Sequence, residues 1–293
     1  MVLYGLVPSQ TRGRHSLELA KLATYRASSN PLSLAVTPAT ETMPALIAVA
    51  DITKSLSVLK VIVPDESHPE HELYEVSRHF ATVWCTAVGA TVENEWLVAD
   101  AEGNLLALRQ NRDAIHDPNW RQMEVIGEFR LGQVTNKIVP VSSKPGPSDV
   151  PEIPAVNESS KAEIARLVEA LPRSGPLVTP RALVGTVEGA IFMFATINQA
   201  YVNVLLLLQT SLATRIQAPG YMPWAKYRAW QTVVSEKDEP FRFIDGEMLE
   251  QGLLSLSDAE LETVLKEAGL REEKHNVTVE EVRAWGEELR RLY

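Results

Sequence analysis

The chain of 293 residues is 45% hydrophobic and 23% charged, which suits one large soluble domain or two smaller ones with ample material for a core. Its formal charge of −10 argues against a general electrostatic grip on nucleic acid or on an anionic membrane, while leaving room for a local basic patch. Cys85 is the only cysteine, which excludes an intramolecular disulfide and points to a reducing compartment, cytosolic or nuclear.

The opening MVLYGLVPSQTRGR lacks the ordered basic, apolar and cleavage regions of a signal peptide. It reads as a strand from the start, so Met1 is expected to stand inside a sheet repeat. Three later segments share one plan: PALIAVADITKSLSVLKVIV from Pro44, NEWLVADAEGNLLALRQ from Asn94 and RALVGTVEGAIFMFAT from Arg181. Each is an apolar strand, a small polar break ending at Asp51, Asp100 or Thr186, a tight turn and a second strand. Glu102-Gly103-Asn104 and Glu188-Gly189 suit such turns because Gly, and less readily Asn, tolerates the positive φ that hairpins need.

Asp51 and Asp100 are 49 residues apart, and Asp100 and Thr186 are 86 apart. The excess lies between Pro140 and Pro180, a stretch with eight of the 18 prolines around one helical pattern, KAEIARLVEAL. Without it the second spacing falls near the first, and a period near 50 with four strands per unit is that of propeller blades. Outer strands of such blades would be LELAKLATYR with PLSLAVTP, LYEVSRHF with WCTAVGATV, and MEVIGEFRLG with VTNKIVPV. About three blades fit the length, whereas closed propellers use about 4–8, so part of the ring is expected to be missing.

From Asn198 the apolar period moves from 2 toward 3.6. The run Val202–Leu208 is far short of the ~20 residues of a membrane span. SDAELETVLKEAG opens with a capping box, Ser257 with Glu260, and closes at Gly269; Leu261, Val264, Leu265 and Ala268 form its apolar face. TVEEVRAWGEELRRLY repeats the device with Thr278 and Glu281, and buries Val282, Trp285, Leu289 and Leu292. The expected division is a partial β-propeller over 1–197, with a proline-rich insertion at 140–180, and a helical domain over 198–293.

At VIGEFRLGQVTNKIV, ALVGTVEGAIFMF and FRFIDGEMLEQGLLSLS the chain resembles the DNA damage-binding protein 1 family. That family shares its build with the large subunit of the cleavage and polyadenylation specificity factor and a splicing-factor subunit. The similarity also runs through VADITKSLSVLKV, EVSRHFATVWCTAVGA, VLLLLQTSLATRIQ and YRAW, essentially the whole chain apart from the insertion. The resemblance implies the end of a third propeller followed by a C-terminal helical domain. It implies a non-catalytic adaptor that docks substrate-receptor proteins through its propeller surface, with a cullin ligase assembly engaged only in a longer chain. Damaged DNA would be met indirectly, through a receptor subunit, and the setting would be the nucleus, also the cytoplasm, with no membrane partner. An RNA-processing factor of the same build that contacts nucleic acid is the alternative; GEFRLGQ and FRFIDGEMLE sit closer to the repair protein.

Matched residue by residue, Ile52, Lys54 and Trp84 fall on receptor-facing positions of that family. Lys54 keeps a positive charge where the family commonly has arginine, without the planar fork for bidentate contacts. The residues before the tryptophan in FATVWC depart from the family pattern. Trp84 reads equally as an interface anchor or as a side chain packed in its blade, and Ile52 and Lys54 also read as ordinary surface positions. Cys85 reads as a buried, inert thiol. SHPEHE brings His68 and His71 among Asp65, Glu66, Glu70 and Glu72, but in a proline-bearing loop between strands, so no metal site is expected. WAKYRAW interleaves aromatics with Lys226 and Arg228, and packing explains it better than nucleic-acid stacking. Asp245 reads as the cap of a helix starting near Glu247. With no phosphate-cradling loop, nucleophile elbow or zinc pattern, neither an enzyme nor a cofactor is expected.

Overall fold

In a computed structural model the described residues are 1–11, 14–26, 29–40, 44–66, 69–92, 94–111, 121–141, 175–216, 218–271 and 276–292. The helical pattern KAEIARLVEAL of the proline-rich insertion lies outside them, as does His68.

Strands come first and helices last. β1 (Val2–Thr11) and β2 (Arg14–Thr24) form a two-stranded antiparallel sheet. β3 (Pro31–Thr37), β4 (Leu46–Asp51), β5 (Ser55–Ile62) and β6 (Glu72–Arg78) follow in that order across a four-stranded sheet. β7 (Cys85–Val92), β8 (Glu95–Asp100), β9 (Asn104–Gln110) and β10 (Met123–Arg130) form a second four-stranded sheet in the same up-and-down order. β11 (Thr135–Pro140), β12 (Val178–Thr186) and β13 (Ile191–Ile197) form a three-stranded sheet, which the hairpin ALVGTVEGAIFMFAT completes. These sheets are consistent with propeller blades.

The repeat read from the sequence is the repeat of the sheets. Asp51, Asp100 and Thr186 are the last residues of β4, β8 and β12, the second strand of each sheet. Gly103 and Gly189, at φ 82° and 92°, make the turns that follow β8 and β12. β4 is buried along its whole length and β8 from Trp96 onward, which is why both appear as unbroken apolar runs rather than alternating ones.

The outer-strand couples divide differently from expectation. LELAKLATYR lies on β2, which pairs β1, whereas PLSLAVTP forms β3, which pairs β4 with Leu34 opposite Val49 and Val36 opposite Ile47. Likewise β6 closes one sheet and β7 opens the next, and β10 and β11 belong to different sheets. The links are crossovers rather than hairpins. Leaving β2, the chain is drawn to β4, where the Ser29 and Asn30 amides donate to the Asp51 carboxylate at 2.8 and 2.7 Å.

By contacts the chain forms two compact units. The first holds Met1–Ile126, Gln133–Ile138 and Gly185–Gly189. Its core includes Ala23, Tyr25, Ile47, Val49, Leu59 and Leu73, with Met1, Leu3 and Val61 packed against them.

The second unit holds Gly127–Gly132, Val139–Val184 and Ala190–Tyr293. It carries α1 (Gln199–Ala213), α2 (Trp224–Arg228), α3 (Gly246–Ser255), α4 (Asp258–Glu267) and α5 (Val279–Arg290). Both expected capping boxes are formed, Ser257 with Glu260 on α4 and Thr278 with Glu281 on α5. Asp245 caps α3 by accepting from the Met248 amide at 3.2 Å. Gly269, at φ 68°, stops the chain after α4 in the left-handed region that favours glycine. Leu205, Leu208 and Leu212 of α1 meet Leu249, Leu253, Leu261, Val264, Val282 and Trp285 in one apolar cluster. Among the described residues no helix is long and apolar enough to cross a membrane.

Candidate functional site

One end of the first unit gathers the turns that leave β4, β6, β8 and β12. The β4–β5 turn carries Ile52 and Lys54, the β6–β7 loop carries Trp84, and the two are stitched together beneath the surface. Cys85 Sγ donates to Ser55 Oγ at 3.6 Å, and Ser55 Oγ lies 2.7 Å from His79 Nδ1 in a second hydrogen bond. Trp84 is tied to the next turn, since its carbonyl accepts from the Ala101 amide at 2.9 Å. Thr86 Oγ1 donates to the Thr135 carbonyl at 2.7 Å, and the Val187 amide to the Val134 carbonyl at 2.9 Å, which brings the β12–β13 turn to the same end.

Asp51 shapes the first of these turns. One carboxylate oxygen takes the Ser29 and Asn30 amides. The other takes the Thr53 amide at 2.8 Å, the Thr53 hydroxyl at 2.7 Å and the Lys54 amide at 3.1 Å. Burial pushes this carboxyl up, but the donors from Asn30, Thr53 and Ser29 outweigh it and hold the group well below the usual carboxylate range. The backbone under Ile52 and Lys54 is therefore pinned from two sides. Ser55, which follows, is held at φ 64° with its side chain buried.

Of the sequence-predicted residues, Ile52 is half-buried and Lys54 exposed. Trp84 is 55% exposed while Val83 and Cys85 on either side are buried. The alternation sends the indole outward and the thiol inward. Cys85 is fully buried, and burial pushes its thiol up to about 12; the bond to Ser55 pulls down, and the charges of Asp100 and Asp51 add to the rise. A buried thiol with so little thiolate at neutral pH is a poor nucleophile.

Sequence reasoning missed two apolar side chains at this end, Phe80 and Val187, both exposed. Their only signal is an apolar residue where turn chemistry prefers small polar ones, and such residues are too common in loops to single out. Phe80 and Trp84 thus turn two aromatic side chains to solvent on one loop held by buried hydrogen bonds.

The other candidate clusters have different surroundings. His71 is half-buried, with Asp65, Glu66, Glu70 and Glu72 exposed, and among the described residues no group of three or more His, Cys, Asp or Glu side chains is placed to hold a metal ion. In WAKYRAW, Arg228 pairs with Asp245 at 2.7 Å, donates to the Leu131 carbonyl at 3.2 Å and lies over the Phe129 and Tyr227 rings at 5.0 and 4.9 Å. Trp224 and Trp230 are buried. Trp224, Trp230 and Arg228 are thus engaged in packing, the reading preferred above to nucleic-acid stacking.

Residues 14–253 match the family described as the CPSF A subunit region. The chain is 28% identical over 256 residues to DNA damage-binding protein 1 of Oryza sativa subsp. japonica, covering 87% of this chain and 20% of that protein. It is 29% identical over 249 residues to DNA damage-binding protein 1a of Arabidopsis thaliana, covering 84% and 19% respectively. It is 24% identical over 250 residues to DNA damage-binding protein 1 of Schizosaccharomyces pombe, covering 84% and 20%. The chain thus spans about a fifth of the length of these relatives. Blade-like sheets with the sequence period, a helical end and a match over most of the residues agree with one another: the chain belongs to the CPSF A subunit region family.

Proposed function

We propose that the chain is a non-catalytic adaptor whose loop end around Trp84 docks substrate-receptor proteins of a cullin-RING ubiquitin ligase acting in DNA repair. Its setting is the nucleus, and also the cytoplasm. Damaged DNA is reached through the receptor, and the cullin assembly is engaged in the context of a longer chain. The observation that carries this reading is Trp84, an indole turned to solvent between two buried neighbours, on a loop tied to the Ile52–Lys54 turn through Cys85 and Ser55. Aromatic anchors on rigid supports dominate protein interfaces because little conformational freedom is lost when they are covered. Lys54 adds a positive charge for an acidic or carbonyl-rich helix end.

The test is calorimetric titration of the purified chain with a purified substrate receptor, repeated with Trp84→Ala and Lys54→Glu. Saturable binding weakened by both substitutions supports the reading, and binding untouched by either defeats it. A second reading, an RNA-processing factor of the same build, draws on the family description, which carries the name of the cleavage and polyadenylation factor. It requires RNA affinity that falls steeply with added salt.

A further inference from the structure

The repeat places glycine at one position of its turns, and one turn departs from that rule. Gly103 and Gly189 stand three residues after Asp100 and Thr186, in the left-handed region at φ 82° and 92°. The third residue after Asp51 is Lys54, which has no positive φ; the left-handed residue is its successor, Ser55, at φ 64°. Glycine adopts this conformation without a clash, whereas the Cβ of any other residue crowds the following carbonyl. Moving the left-handed residue by one position opens the tip of the turn to a side chain, that of Lys54. Ser55 carries the strain instead, although it is only 1% exposed. Backbone strain of this kind persists where the surroundings hold it and points to a function of the residue that bears it.

The Ser55 hydroxyl is that function. The loop that carries Phe80 and Trp84 starts after His79 and ends before Cys85, and both of these side chains bond to Ser55 Oγ, at 2.7 and 3.6 Å. The thiol donates, so the hydroxyl hydrogen goes to His79 Nδ1, which accepts in the tautomer protonated at Nε2. The His79 amide donates to the Leu56 carbonyl at 2.9 Å and fixes that end of the loop to β5 as well. Ser55, His79 and Cys85 are all buried. One oxygen therefore closes the base of the Trp84 loop, and it belongs to the residue that ends the Lys54 turn. A glycine at position 55 would relieve the strain and lose this bridge.

We infer that Ser55 is a positioning residue: its left-handed backbone frees the turn tip for Lys54, and its hydroxyl holds the Trp84 loop to that turn. Ser55 touches no partner itself. The purpose of the arrangement rests on the docking function proposed above, whereas the coupling of turn to loop is a property of the chain alone and is read without a partner.

The experiment is hydrogen exchange by mass spectrometry on the full chain, comparing Ser55→Gly and Ser55→Ala with the unaltered protein. Glycine fits the left-handed backbone and alanine does not, so the two variants differ in urea midpoint while both lack the hydroxyl. The expected result is exchange roughly tenfold faster or more in residues 52–54 and 80–84 of both variants, with the β8 amides unchanged. Exchange in Ser55→Gly as slow as in the unaltered chain would overturn the inference, because the residue would then serve the backbone alone. Cys85→Ala keeps Ser55 and removes one end of the bridge, and it decides the matter if both Ser55 variants misfold: residues 80–84 should exchange faster, and an unchanged loop would overturn the inference. With a substrate receptor, Ser55→Gly should bind roughly tenfold more weakly although the residue is buried, and equal affinity would overturn its positioning role. A receptor that fails to bind the unaltered chain would strike the docking function and leave exchange to judge Ser55.

Discussion

Asp51 and Asp100 end the second strand of successive sheets, yet their carboxyls are driven in opposite directions. Burial raises both, but Asp51 gathers amide and hydroxyl donors from Ser29, Asn30, Thr53 and Lys54 and ends well below its ordinary value of 3.8. For Asp100, burial prevails over the Asn104 side chain at 2.8 Å and the Asn104 and Glu102 amides, and the carboxyl is raised. Repeat-equivalent residues thus do different work. Asp51 pins a crossover, whereas Asp100 closes its own hairpin.

The pH dependence follows with opposite signs. Asp51 adds stability that is complete above pH ~4 and is lost as the pH falls through its depressed folded value. Asp100 binds its proton more readily folded than unfolded, so acid relieves part of its burial cost. Asp51→Asn is expected to lose about 1–3 kcal/mol at pH 7, because an amide NH₂ would face backbone donors, and to flatten the acid limb. Asp100→Asn is expected to steepen it. Urea midpoints between pH 3 and 7 check both.

Cys85 should resist thiol reagents in the native state. It is fully buried with its thiol raised to about 12, so at pH 8 almost no thiolate exists and no reagent reaches it. Labelling is expected to be negligible on the folded chain and complete in denaturant. Rapid labelling without denaturant would mean that the β6–β7 loop opens readily.

Gly89 of β7 is a close-approach position. A Cβ added there would collide with Ile138 Cγ2 and meet Ile138 Cβ at 3.0 Å. Gly89→Ala should cost about 1–3 kcal/mol by overpacking, read as a lower urea midpoint, and the same substitution should cost less in an Ile138→Ala chain, which lacks Cγ2.

Arg228 and Arg290 both pair with carboxylates but differ in burial. Arg228 is nearly buried against Asp245, with two rings and a carbonyl around it. Arg290 and Glu287, 3.9 Å apart, are exposed. Arg228→Ala is expected to cost about 3–5 kcal/mol because it leaves Asp245 uncompensated, whereas Arg290→Ala should stay within about 0.5 kcal/mol. Thermal melts of the two variants make the comparison.

Trp84→Ala separates binding from folding. Its side chain is largely in solvent, so stability should change by no more than about 0.5 kcal/mol. Receptor affinity, on the proposed function, should drop by about 2 kcal/mol or more. Parallel denaturation and calorimetry report the two quantities.

Local chemistry was the legible part of this fold. The glycine turns, both capping boxes and the Asp245 cap depend on residues close in sequence, and each formed where the pattern placed it, while the 49-residue spacing showed because the same local plan recurs. The couples of outer strands did not, because strand pairing across a crossover is fixed by distant groups such as the Asp51 carboxylate at Ser29 and Asn30. Gln209 was hidden for the same reason. Within VLLLLQ it looks like the end of an apolar run, yet it is buried, accepts from the Asp245 amide at 2.8 Å and donates to the Phe243 carbonyl at 3.3 Å. The family resemblance named Trp84 as a receptor-facing position and left its packing open; burial of Val83 and Cys85 on either side turns the indole outward. Phe80 and Val187 had no pattern to betray them.

Hydrogen exchange by mass spectrometry on the chain, with and without a bound substrate receptor, tests the docking surface most directly. The expected result is slowed exchange in the Ile52–Lys54 turn and the Phe80–Trp84 loop, with the amides of α3, α4 and α5 unchanged. Protection confined to the helices, or a receptor that leaves both loops as fast as before, would contradict a docking end built around Trp84.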